Sequence, residues 1–113
     1  MEKVEGLTAQ EQGALEDFRR RAAEICGDRL QGVRLFGSRA RGEGDEESDL
    51  DLLVLTEGQD ERTKVRIWDA AYEVFSATGI LISPLVLSLD QYERLKSRER
   101  LIAMDIEREG ISL

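Results

Sequence analysis

Apolar positions change their period several times along the chain, and each change marks an element. Ala14, Leu15, Phe18, Ala22, Ile25 and Cys26 recur at three- and four-residue spacing, the period of one helical face. Thr8 followed by Glu11 sets a capping box before them, in which side chains and backbone satisfy each other's end groups. Gly27 and Asp28 end that helix, and Val33, Leu35 and Phe36 then form a short β-branched and aromatic run that reads as a buried strand. Residues 37–48 carry almost no apolar side chain and hold glycines at 37, 42 and 44, so they form a surface loop or short helical turn. From Asp49 to Leu55 the pattern alternates once and then turns wholly apolar, as in a central strand with both faces covered.

Beyond a turn at Gly58, a second helix is predicted over Arg62 to Ala77, with Val65, Ile67, Trp68, Ala71, Tyr72 and Phe75 on one broad face. Helical spacing makes Trp68, Tyr72 and Phe75 core residues by default. Gly79 stops this helix, and Ile80 to Leu87 is another apolar run. Pro84 has no N–H to give a ladder, so this strand belongs at a sheet edge or carries an irregularity. Ser88 and Gln91 form a second capping box, opening a helical tail with Tyr92, Leu95, Leu101, Ile102, Met104 and Ile106, closed by Gly110. The order implies a small α/β (α+β) fold, a mixed β-sheet flanked by helices, in one domain over residues 1–113.

Composition narrows the functions this fold can serve. The 113 residues include 24 acidic and 16 basic side chains, a formal charge of −8, which opposes general nucleic-acid binding and adhesion to anionic membranes. No stretch is apolar enough to span a bilayer, and residues 1–6 lack a signal-like core, so a cytoplasmic protein is expected. The lone Cys26 cannot make an internal disulfide and reads as a buried thiol. With no histidine, a metal would be held by oxygen ligands, which disfavours zinc hydrolase chemistry. A chain this short is also expected to need a partner, and self-association stays open.

The polar residues that could carry chemistry flank the loop. Residues two apart on a strand share a face with Cα atoms ~6.6 Å apart, so Asp49 and Asp51 can converge. Two carboxylates on one rigid face repel unless a cation lies between them, which favours Mg²⁺ (or Mn²⁺). Gly37 and Ser38 directly follow the first strand, where glycine allows close backbone approach and the Ser38 hydroxyl and nearby N–H groups can bond phosphate. Arg39 and Arg41 could add positive charge, although the acidic run at 43–47 could neutralise them on the surface. That run lacks a rigid element to aim it and is assigned no chemistry.

Gly37-Ser38, ten residues, then Asp49-Leu50-Asp51 resembles the signature of the DNA polymerase beta-like nucleotidyltransferase superfamily, particularly its minimal nucleotidyltransferases. The wider stretch VRLFGSRARGEGDEESDLDLLV over 33–54 is similar to that family as well. The resemblance implies a nucleotidyltransferase-like fold and in-line attack on the α-phosphate of a nucleoside triphosphate, with ATP as the expected donor of AMP. It implies a catalytic and metal-binding role for Asp49 and Asp51, and nucleotide binding by Gly37, Ser38 and Arg39. It further implies a hydroxyl acceptor on a protein or small molecule, and pairing with an all-helical HEPN-type toxin partner. Full catalysts of the superfamily carry a third carboxylate on a neighbouring strand. Here that strand is 80–87, which has no acidic residue, and Ser83 is the expected equivalent. Asp90, the nearest acidic residue beyond it, suits the start of the following helix. The alternative expectation is therefore a non-catalytic binding module of the same fold that grips a helical partner.

Overall fold

The computed structural model describes residues 4–42, 49–58 and 60–113. The acidic run at 43–47, read above as a solvated loop, lies outside the described residues.

Thr8 and Glu11 form the predicted capping box at the start of α1 (Ala9–Cys26): the Thr8 side chain accepts from the Glu11 N–H, and the Glu11 side chain accepts from the Thr8 N–H. A single 3-10 turn, Gly27–Arg29, leads into β1 (Leu30–Phe36). The chain then builds β2 (Leu50–Thr56), α2 (Glu61–Thr78) and β3 (Ile82–Ser88). Gly79 ends α2 in the left-handed region with φ 77°, a conformation that costs a glycine nothing.

The sheet runs β3-β2-β1-β4, where β4 is Ile111–Ser112. Strand β2 pairs antiparallel with β1 and parallel with β3, and β1 pairs antiparallel with β4. The parallel pair needs a crossover, which α2 supplies. Pro84 sits in the edge strand β3, opposite Leu52, where its missing donor faces no neighbour.

The pleat divides β2 between two cores. Leu50, Leu52 and Val54 join Leu15 and Phe18 of α1 and Ile67 and Val74 of α2 in the larger cluster. Leu53 and Leu55 join Tyr92, Ala103 and Ile106 in a smaller one, beneath α3 (Leu89–Ser97) and α4 (Leu101–Glu109). Both faces of β2 are thus covered, the reason its sequence is continuously apolar. Phe18 and Leu52 have no exposed surface, and truncating Phe18 to Ala would cost about 3–5 kcal/mol. Cys26 is buried, and burial pushes its thiol pKa up.

Two expectations fail in instructive ways. Helix α2 buries Ile67, Ala70, Ala71 and Val74, while Val65, Trp68, Tyr72 and Phe75 are exposed. Ala70 and Ala71 allow α1 and the sheet to approach closely, so the larger side chains one step around the helix are left outside. The predicted helical tail is two helices: the chain bends at Arg98 to Arg100, with Glu99 at φ 52°, and α4 folds back beside α3. Its end then returns to the sheet as β4, a pairing the sequence did not announce.

Candidate active site

The site lies where β1 ends and β2 begins. Phe36 pairs with Asp51, and Asp51 pairs on its other side with Ser83 of β3. Asp51 shares its sheet face with Leu53 and Leu55, which α3 and α4 cover through the smaller core. Asp51 remains half-buried and Asp49 exposed. Strand β2 is anchored just behind them by the Leu50 N–H, which donates to the Leu81 carbonyl at 3.0 Å.

Gly37 and Asp51 lie so close that any side chain at 37 would have to displace the carboxylate. Gly37 has φ 78°, and a Cβ there would lie 2.5 Å from Asp51 Oδ2. The carboxylate therefore rests against the backbone at the mouth of the turn. From Gly37 the chain makes a helical turn: the Gly37 carbonyl accepts from the Ala40 and Arg41 N–H groups at 3.2 and 3.3 Å, and the Arg39 carbonyl from Gly42 at 3.4 Å. Ser38, at the start of this turn, is partly exposed.

Burial, and then the charge of Asp49, raise the Asp51 pKa above the ordinary carboxylate value. Both influences oppose a bare anion, and both are relieved by a cation placed between the two carboxylates. A hard divalent ion that keeps most of its shell for water and phosphate oxygens needs no more than these two protein ligands. The donor set therefore fits Mg²⁺ (or Mn²⁺). Among the described residues no group of three acidic, histidine or cysteine side chains could hold a metal. Ser83 occupies the position beside Asp51 on the neighbouring strand, and Asp90 stands in the first turn of α3, beyond its Ser88 cap.

Arg39 is placed differently from its sequence reading. Only 5% of it is exposed, and its guanidinium grips Glu11 of α1 with both ends, Nη1 to Oε2 at 2.7 Å and Nη2 to Oε1 at 2.7 Å. Its charge is engaged beneath the turn. Arg41, by contrast, pairs at the surface with Glu109 at 3.0 Å. Glu11 went unnoticed in the sequence beyond its capping role, because its cationic partner lies 28 residues downstream.

A sequence profile described as "Nucleotidyltransferase domain" matches residues 15–112. The chain belongs to the nucleotidyltransferase domain family. This nucleotidyltransferase domain is 38% identical over 73 residues to "Putative protein adenylyltransferase MJ0141" of Methanocaldococcus jannaschii, covering 64% of the chain and 74% of that protein. It is similar to a solved structure described as a "putative minimal nucleotidyltransferase", with 31% identity, TM-score 0.53, and 88% and 95% of the two chains covered. A toxin-antitoxin crystal structure with AMP-PNP has a chain that shares the fold of this nucleotidyltransferase domain at TM-score 0.58 and 21% identity, over 86% of this chain and 70% of the other. Among the described residues no helix is long and apolar enough to cross a membrane.

Proposed function

We propose that this nucleotidyltransferase domain binds ATP with a divalent metal at the Gly37–Asp51 junction and transfers AMP to a hydroxyl of a protein acceptor. The observation that carries the reading is the contact of Gly37 with the Asp51 carboxylate, which brings the Gly37-Ser38 turn and the start of β2 into one place. The likeness to a protein named as an adenylyltransferase supports AMP as the group and a protein as the acceptor.

Asp49 and Asp51 would hold the metal, which when bound neutralises phosphate charge and fixes the triphosphate's orientation. Ser38 and the backbone N–H groups of the turn bond phosphate oxygens, and Gly37 keeps the backbone out of the way. The acceptor oxygen forms a bond to the α-phosphorus as the bond from that phosphorus to the β-bridging oxygen breaks, and pyrophosphate leaves with the electron pair. The Ser83 hydroxyl is no base at neutral pH, so the acceptor's proton leaves to water or to a base that the acceptor carries. Positioning does most of the work.

A second reading has its own observation. Ser83 stands beside Asp51 on a neighbouring strand that carries no acidic residue, and the exposed stripe Val65, Trp68, Tyr72 and Phe75 of α2 offers a helical protein an apolar face. In this reading the domain is a module that grips a HEPN-type partner and binds nucleotide weakly or not at all. The fold it shares with a toxin-antitoxin chain is compatible with either reading.

Calorimetric titration with ATP and Mg²⁺, beside an Asp49→Ala/Asp51→Ala control, tests the choice. Metal-dependent binding that the control lacks supports the transferase and justifies a search for labelled acceptor with ATP marked at its α-phosphate. No binding by the unaltered protein sinks the transferase and leaves the module.

A further inference from the structure

We propose that the buried Glu11–Arg39 ion pair is a positioning device, which locks the Gly37-Ser38 turn onto the capped start of α1 and holds it in phosphate-binding shape. What the turn receives rests on the nucleotide reading above. That the pair holds the turn does not.

Among the described residues the turn is held by its own backbone bonds, by a surface pair of Arg41 with Glu109 at 3.0 Å and by the buried pair of Arg39 with Glu11. Its internal hydrogen bonds are long, at 3.2 to 3.4 Å, and its only apolar side chain in 38–42 is Ala40, which packs against the larger core. Arg39 supplies the strong tether. Its side chain is 4% exposed and that of Glu11 2%, so the two-pronged bond is shielded from water and screened little by salt. Glu11 is itself immobilised, because Oε1 also accepts the Thr8 N–H at 2.9 Å and its backbone lies in the first turn of an 18-residue helix. Arg39 reaches one step further, to the Gly6 carbonyl at 3.4 Å. The turn, the helix cap and the segment leading into it thus share one guanidinium.

This placement also explains why an arginine stands next to a phosphate-binding serine without facing the ligand. A lysine could supply charge but not the planar fork that meets both oxygens of Glu11. A bond pointing inward from the residue after Ser38 fixes the backbone direction at Ser38, and with it the donors that meet phosphate. Arg39 acts through the turn and is a positioning residue.

The test uses the full chain in three forms: unaltered, Arg39→Lys, and the double variant Glu11→Gln/Arg39→Met. The double variant leaves no charge buried, and Gln keeps the acceptor for Thr8, so it is the form most certain to fold. Amide hydrogen exchange without ligand is read first. The proposal expects exchange at residues 37–42 to quicken roughly tenfold or more in both variants, with Leu52 to Val54 in β2 unchanged in the double variant. Unchanged exchange at 37–42, or equal quickening throughout the chain, would overturn it. Calorimetry with ATP and Mg²⁺ is read second, with affinity expected to fall roughly tenfold or more, about the loss of one charged hydrogen bond. Variants that melt cooperatively and bind as the unaltered protein does would also overturn it. If the unaltered protein binds no nucleotide, the nucleotide reading fails, and the exchange result alone decides whether the pair holds the turn.

Discussion

Asp51 and Glu107 are carboxylates of one sheet face and its covering helices, yet the protein treats them in opposite ways. Glu107 of α4 receives three donors: Lys96 at 2.9 Å, Arg34 at 2.6 Å and the Tyr92 hydroxyl at 3.0 Å. Lys96, then Arg34, hold its pKa well down, to about 2, against the opposing pull of burial. Among the described residues Asp51 has no such set of cations; burial and Asp49 push its pKa up instead. A carboxylate supplied with cations serves the fold, here by tying α3, α4 and β1 together. One held close to another carboxylate, on a rigid strand and against a glycine, stores unfavourable charge that a ligand can discharge. The difference separates a carboxylate whose charge the fold already balances from one whose charge it does not.

Removing both aspartates should break the comparison most severely. In Asp49→Ala/Asp51→Ala, Mg²⁺-dependent ATP affinity should fall on the order of a hundredfold or more, since changes merely beside a metal ligand already cost 10–100-fold. Stability should hold or rise slightly in chemical denaturation, because a like-charge repulsion disappears. A clear loss of stability would mean that Asp51 is a structural carboxylate like Glu107. Gly37→Ala attacks the same place from the backbone. The left-handed conformation costs a side chain about 1–2 kcal/mol, and the new Cβ must displace the Asp51 carboxylate. Melting at a lower temperature together with weakened ATP binding is the expected result, and wild-type behaviour in both would remove Gly37 from the site.

Glu107→Gln sharpens the other side. It should cost about 1 kcal/mol in urea denaturation at pH 7, discounted for the third of the side chain that solvent reaches, and leave ATP affinity unchanged. The folded pKa lies below the unfolded one, so the carboxylate's contribution is present above the ordinary value of 4.5 and is lost as pH falls towards about 2. The gap between the two proteins should therefore be open at pH 7 and close across that window. A gap that stayed constant with pH would show that the charge of Glu107 is not what ties α4 down. Tyr92 gives the opposite limb: burial and Glu107 raise its pKa to about 12, so stability should fall as pH rises from 10 through that value.

The same contrast explains what could be read from the chain. The places of Gly37 and Ser38 just after β1, and of Asp49 and Asp51 at the start of β2, were legible because each follows from near neighbours: a strand end, a two-residue period, a turn. The capping boxes at Thr8 and Ser88 were legible for the same reason, and the edge position of β3 followed from one proline. Arg39 was not, since its burial depends on a glutamate in a different element, and an arginine beside Gly-Ser looks identical whether it faces phosphate or protein. Trp68, Tyr72 and Phe75 were misplaced because periodicity finds an apolar stripe without saying which stripe meets the neighbour; two alanines settled that. The bend at Glu99 left no glycine or proline to announce it, and β4 is too short to carry a period.

The smallest expected effect comes from giving Asp51 a neighbour of its own kind. In Ser83→Asp the new carboxylate would enter from the parallel edge strand at the register position beside Asp51. Without metal it should add one more repulsion at a partly exposed strand end and cost less than about 1 kcal/mol, as like charges facing each other across a sheet do. With Mg²⁺ the sign should reverse, because a third oxygen ligand adds attraction to the ion and binding to the folded state alone stabilises it. The measurement is the melting temperature of the variant and the unaltered protein, each with and without Mg²⁺ and in the absence of nucleotide. A Mg²⁺-dependent rise that is larger in the variant would place the metal between β2 and β3 and make serine the reason for a weaker metal seat. Equal rises would mean that residue 83 does not face the ion, and that any third ligand must come from the nucleotide or its acceptor.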